Sequence, residues 1–218
     1  MNTFGAQRPY KEGFMHILPS YLLKSLIFLF WMSFMVDLYG NPGKYPIKNF
    51  APADYGAGIQ NIDFAQNRDM ALFVANNLGV LSFNGTTWGK HAFNTGKKQR
   101  SLAFDESSNR LYVGSQGEFG FFEADWQYTS LLTQIPEQFL DFDEVWNVLL
   151  FESKVYFCTF QGIYIYDGNS VSVIRRPGGF NRSFLAGNRL FTQSPTGHLF
   201  ELKGTDLLPV PQSGHTNQ

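Results

Sequence analysis

Four stretches of the chain repeat one pattern of apolar and polar positions, and each runs in the same order. A β-type run comes first, then an apolar-aromatic pair, a Gly, and a second apolar-aromatic run that closes on a turn. The first reads Ile59 to Phe64, Leu72-Phe73, then Gly79-Val80-Leu81-Ser82-Phe83-Asn84-Gly85. The second has Leu102-Ala103-Phe104, Leu111-Tyr112-Val113 and Gly120-Phe121-Phe122. The third has Val148-Leu149-Leu150, Val155-Tyr156-Phe157 and Gly162 to Gly168, and the fourth has Phe184-Leu185, Leu190-Phe191 and Gly197 to Gly204. The marker glycines Gly79, Gly120, Gly162 and Gly197 stand 41, 42 and 35 residues apart. A period of about 40 residues with about four short strands per unit predicts an all-β chain of β-propeller blades. One blade cannot bury both of its faces, so the blades must stack.

Within the first repeat the pattern predicts strands over 59–64, 70–75, 79–83 and 87–93, innermost first. Asn67-Arg68-Asp69 and Asn76-Asn77 read as connections, and Asn84-Gly85 reads as a type I′ hairpin turn, which needs positive φ at both central positions. Turns recur at Glu106 to Asn109, Asp167 to Asn169 and Gly187-Asn188. The segment from Thr133 to Asp143, with Pro136, reads as a longer connection with room for one helical turn. The marker Gly is expected where a β-carbon would crowd the neighbouring strand. The aromatic residues Phe73, Phe83, Phe104, Tyr112, Phe122, Tyr156, Tyr166, Phe191 and Phe200 are expected to fill the spaces between blades.

The leading 40 residues differ. Residues 25–36 read SLIFLFWMSFMV, uncharged and apolar, behind Lys24 and, further upstream, Arg8, Lys11 and His16. This predicts a secretory signal over 1–40 with an exit near Gly40, or a signal anchor, and a start at Met1 or Met15. Residues 41–58 form a Gly-, Pro- and Ala-containing lead-in. The partial propeller then spans 59–211, with blades at about 59–97, 98–140, 144–180 and 181–211 and a polar tail from Gln212. Propellers have about 4–8 blades, and four is the low extreme, so the repeats read as part of a larger ring.

Composition narrows the function more than it names one. The 218 residues carry a formal net charge of −1, which removes the electrostatic case for nucleic acid. Aromatic residues make up 17%, suited to the half-buried faces of stacked sheets. The single Cys158 lies in an apolar strand and reads as a core thiol. His16, His91, His198 and His215 show no metal-binding spacing, and no P-loop pattern is present, so no metal, cofactor or catalytic residue is assigned. Asp141, Asp143 and Glu144 cluster beside Trp146, as a solvated acidic loop or a cation or sugar site. Asn84-Gly85-Thr86 and Asn181-Arg182-Ser183 match glycosylation sequons but read better as turns.

Two phrases carry a family resemblance: Asn76 to Trp88 (NNLGVLSFNGTTW) and Gln161 to Gly168 (QGIYIYDG), with Leu111 to Phe122 as a further blade. Over about residues 45–205 the chain resembles the two-component regulator propellers, the periplasmic sensor part of large regulators found mainly in Bacteroidetes-type bacteria. That resemblance implies a signal sequence, one or two seven-bladed propellers, a small β-sandwich, a membrane helix, and a cytoplasmic histidine kinase or helix-turn-helix module. It further implies an exported, membrane-anchored, dimeric sensor without catalytic activity in this segment. Its partners would be a small extracellular ligand, a glycan among the candidates, and further blades or a second propeller. Aligning the innermost strands puts Gln60, Arg100, Trp146 and Arg182 at one mouth of the axis, a polar and planar set suited to stacking and hydrogen bonding. Two alternatives stay open: a secreted propeller that binds or cleaves polysaccharide, and a bare interaction scaffold.

Overall fold

The computed structural model of the protein describes residues 20–36, 47–91 and 97–213. The start at Met1 or Met15, the exit near Gly40, and residues His16 and His215 lie outside them, as do the tail beyond Ser213 and the last residues, 92–93, of the expected strand over 87–93. Residues 1–48 and 49–218 form two units. In the first, the apolar run forms helix α1 (Ser20–Val36). Among the described residues no helix is long and apolar enough to cross a membrane.

The second unit contains four antiparallel four-stranded sheets, each built from consecutive strands. Blade one holds β1 (Asn61–Gln66), β2 (Leu72–Asn76), β3 (Gly79–Phe83) and β4 (Trp88–His91). Blade two holds β5 (Gln99–Asp105), β6 (Arg110–Ser115), β7 (Glu118–Phe122) and β8 (Tyr128–Ser130). Blade three holds β9 (Asn147–Phe151), β10 (Lys154–Cys158), β11 (Ile163–Tyr166) and β12 (Val171–Ile174). Blade four holds β13 (Ser183–Leu185), β14 (Leu190–Gln193), β15 (Leu199–Lys203) and β16 (Asp206–Pro209). The connection between blades two and three carries two short 3-10 turns, Leu132–Gln134 and Glu137–Phe139.

Stacking follows from period-two alternation, because each strand sends one row of side chains to either side. In blade three the row Leu149, Tyr156 and Ile165 faces Leu190 and Leu202 of blade four. The opposite row, Val148, Phe157 and Tyr164, meets Tyr112, Phe119 and Phe121 of blade two. Between blades one and two, Phe73 and Ala75 meet Leu102, Leu111 and Val113. Five of the nine expected inter-blade aromatics are buried: Phe73, Tyr112, Phe122, Tyr156 and Tyr166. Phe83, Phe104, Phe191 and Phe200 are only partly covered. Phe83 sits at the end of its strand against Phe50 and Trp88, while Phe200 lies under the Arg176 guanidinium, 4.8 Å from its centroid. Cys158 is buried between blades three and four, and burial pushes its thiol up to about 12, so it is an inert core group.

Three details correct the sequence reading. In blade one, β1 begins at Asn61, not Ile59, because the Asn76 side chain bonds both backbone groups of Gly58 (3.0 and 2.7 Å) in place of a ladder partner. The Asn84-Gly85 turn is not type I′. The Asn84 side-chain oxygen accepts the N–H groups of Thr86 and Thr87 (3.0 and 2.8 Å), closing a longer turn, and only Gly85 of the pair has positive φ. Asp167 builds the same turn with Asn169 and Ser170. The type I′ geometry appears instead at Glu152-Ser153, between Phe151 and Lys154, where both residues have positive φ. Finally, the lead-in is a cap. Phe50, Tyr55 and Ala57, with helix α2 (Pro52–Tyr55), pack on Leu72, Val74, Leu81 and Trp88, the face of blade one that points away from blade two.

Candidate functional site

The innermost strands β1, β5, β9 and β13 begin at one end of the stack, and their leading residues are where ladder pairing stops and side chains are released. In blade three, the Trp146 N–H donates to the Cys158 carbonyl (2.9 Å), fixing the backbone just before β9 while the indole stays 38% exposed. The Arg100 guanidinium lies over the Trp146 ring, 5.3 Å from its centroid, and donates to Glu144 at 2.6 Å. Both partners of that ion pair are largely buried, so each charge depends on the other. The pair presents Trp146 from behind with no net charge.

The β10–β11 loop supplies a second aromatic. Thr159 holds it tight: its hydroxyl accepts the N–H groups of Gln161 and Gly162 (3.2 and 2.9 Å). Phe160 stands out of this loop, 45% exposed, with its ring centroid 5.4 Å from that of Trp146. Its carbonyl accepts the Phe180 N–H at 2.8 Å. A β-carbon on Gly179 would stand 2.3 Å from the same carbonyl, so that position requires Gly. Blade four adds Asn181, Arg182, Ser183, Phe184 and Gln193, and the backbone there is pinned by Asn181 N–H to the Gln193 carbonyl and Gln193 N–H to the Arg182 carbonyl, both 2.7 Å. Together with Asn147 and Leu199 these residues line a cavity of about 830 Å³ between blades three and four. It is a groove with aromatic walls and amide and guanidinium edges, able to stack on a planar or pyranose face and hydrogen-bond its rim.

Trp146 and Arg182 therefore share one groove. Arg100 supports it from behind Trp146 and does not line it, and Gln60 is exposed at the start of blade one, also outside the lining. The strand ladders also shift the alignment. Bulges between Asn61 and Asp63 and between Gln99 and Ser101 make Ile62 and Arg100 the unpaired residues, and the positions equivalent to Arg100 and Trp146 are Ile62 and Asn181. Gln60 precedes its equivalent and Arg182 follows its own. Phe160 and Phe184 escaped the sequence reading, which compared only the strand starts. An aromatic in a tight loop, where the other blades carry Asn77, Gln116 and Pro195, was the available signal.

The acidic cluster does not converge. Asp141 pairs with Arg175 at 2.5 Å, which holds its carboxyl below the usual carboxylate range, and Glu144 is buried against Arg100 rather than solvated. Asp143 is exposed and its backbone carbonyl accepts from Gly117. Among the described residues no group of His, Cys, Asp and Glu is arranged to hold a metal ion.

No protein-family model and no curated protein matches the chain. Solved structures do. One is the extracellular domain of a one-component system from B. thetaiotaomicron, with a TM-score of 0.56 and 14% identity over 74% of this chain and 23% of that one. A virginiamycin B lyase from Staphylococcus aureus aligns with a TM-score of 0.58 and 8% identity, over 70% of this chain and 56% of the lyase. The WD40 β-propeller domain of Doa1 gives a TM-score of 0.54 and 13% identity, over 68% and 53%. The chain thus spans about a quarter of the sensor domain and just over half of the other two. The first of these is the kind of protein that the sequence resembles, and the shared feature is the stack of four-stranded sheets. The chain is a β-propeller.

Proposed function

We propose that this chain is the extracytoplasmic, ligand-sensing propeller segment of a transcriptional regulator, and that the groove between blades three and four receives the ligand. The observation that carries the reading is the pair of touching, solvent-exposed rings Trp146 and Phe160 on the wall of an open groove that Asn147, Asn181, Arg182 and Gln193 also line. Exposed aromatics held by a buried ion pair and a Thr-braced loop are built to stay exposed. An enzyme that cleaves polysaccharide needs an acid and a base in reach of one bond. The residues lining this groove include no carboxylate, His or Tyr, which supports binding over cleavage. The export signal, the membrane anchor, pairing with further blades or a second propeller, and dimerisation belong to the same reading, supported by the apolar leader and by the likeness to a sensor's extracellular domain.

The test is a titration of the folded chain with an oligosaccharide library, followed by Trp146→Ala against each binder. Loss of a stacked aromatic lowers affinity about tenfold or more, corresponding to roughly 1.5 kcal/mol. Binders whose affinity Trp146→Ala leaves unchanged would refute the groove as the site.

A further inference from the structure

We infer that the ligand is anionic: on the other side of Phe160 from the groove lies a second, arginine-bearing compartment, and the two together select a ring-containing ligand that carries a carboxylate. This rests on the reading of the groove as the ligand site and adds the charge class of what it takes.

Phe160 is a partition. On one side lies the groove already described. On the other, Phe160 lines a cavity of about 480 Å³ with Gln138, Phe139, Gln161, Arg175, Arg176 and the Gly178-Gly179 turn. The two linings hold three arginines, Arg175, Arg176 and Arg182, and not one carboxylate. That is a marked local excess in a chain whose net charge is −1. Arg175 is offset by Asp141. Among the described residues, neither Arg176 nor Arg182 forms an ion pair. Arg176 is held in place by its Nη1 donating to the Gly179 carbonyl (3.1 Å) and by Phe200 beneath its plane. Arg182 is exposed at the edge of the first compartment. Behind Trp146, the charges of Arg100 and Glu144 offset each other.

Uncompensated guanidinium groups beside a low-dielectric aromatic wall focus a positive potential into the groove. A guanidinium binds a carboxylate with two parallel N–H donors, a geometry that a neutral hydroxyl cannot reproduce. A neutral sugar could use the aromatic walls but would leave two arginines unanswered. An acidic sugar answers both features: its ring face lies on Trp146 and Phe160, and its carboxylate meets Arg176 or Arg182.

The experiment is equilibrium binding of the whole chain to α-1,4-linked digalacturonate and to its neutral counterpart, α-1,4-linked galactobiose, at low and high salt. Digalacturonate is expected to bind at least about tenfold more tightly at low salt, and to lose that advantage at high salt. Arg176→Gln and Arg182→Gln are each expected to weaken digalacturonate about tenfold while changing galactobiose little. Arg182 is exposed, so its replacement keeps the test valid should Arg176→Gln fail to fold. Equal affinity for the two sugars, or digalacturonate binding that neither variant weakens, overturns the inference. Trp146-dependent binding of the neutral sugar alone also overturns it, while leaving the groove as the ligand site. Binding of neither sugar overturns the charge assignment, and the sensing reading then stands or falls on the wider library.

Discussion

Phe157→Ala lowers the unfolding free energy by about 3–5 kcal/mol, the cost of deleting a fully buried aromatic from a core that closes only partly around the cavity. Phe157 has no exposed surface, and it stacks on Phe119 with ring centroids 4.4 Å apart at 25°. Tyr112 meets its ring edge-on at 6.2 Å. These rings come from two blades, so the cavity would open the joint between them and not merely loosen one sheet. Phe184→Ala is the matched control: the same ring removed from a position 40% exposed, with an expected cost below about 1 kcal/mol. Urea denaturation monitored by circular dichroism gives both values. Equal costs for the two would mean that blades two and three do not share a core.

Gly120→Ala destabilises by about 1–3 kcal/mol, for a reason unrelated to backbone freedom. A β-carbon there would lie 2.1 Å from the Thr129 carbonyl and 2.7 Å from the Tyr128 hydroxyl, both on the outermost strand of its sheet. The strand would have to move. The same strand holds the buried Glu118 carboxylate, which accepts from Ser130 and Tyr128 at 2.8 and 3.2 Å. Displacing β8 therefore strands an acid as well as breaking a ladder, which places the expected cost toward the upper end. A shift in the urea midpoint with an unchanged slope would register this as lost stability. A Gly120→Ala protein as stable as the parent would contradict the packing described for blade two.

The glycines also show how far a repeat can be read from sequence. Gly79 and Gly162 occupy one structural position, opposite Asn76 and Thr159 at the start of the third strand. In blade two that position is Glu118, paired with Ser115, and Gly120 lies further along β7. In blade four it is His198, opposite Ser194. Gly197 takes positive φ in the turn just before it. A Gly spacing near the blade period was enough to find the repeat, because the number of strands and turns per blade sets the length. It was not enough to set the register, because Glu118 satisfies its carboxylate internally and makes an unexpected substitute.

The site shows the same division. The ends of the innermost strands were legible, since the apolar run must start where ladder pairing starts, and this led to Trp146 and Arg182. The bulges at Ile62 and Arg100 were not, because a bulge changes pairing without changing hydrophobic alternation. Phe160, Phe184 and the Arg175-Arg176 compartment depend on which loops of adjacent blades approach each other, a fact of stacking and not of local pattern. The cap on blade one was half-legible: Phe50 and Tyr55 are aromatic residues in a lead-in that was read as irregular, and they bury against Trp88.

The measurement that tests the account most directly follows the indole N–H signals of the folded chain by two-dimensional NMR as a library binder is added. Trp146→Phe assigns the groove signal. Trp88 and Trp126 pack within blades one and two and serve as internal references. The account predicts that the Trp146 signal moves with saturation while those of Trp88 and Trp126 stay in place. A binder that shifts Trp88 or Trp126 and leaves Trp146 unmoved would put the ligand elsewhere on the propeller and contradict the assignment of the groove.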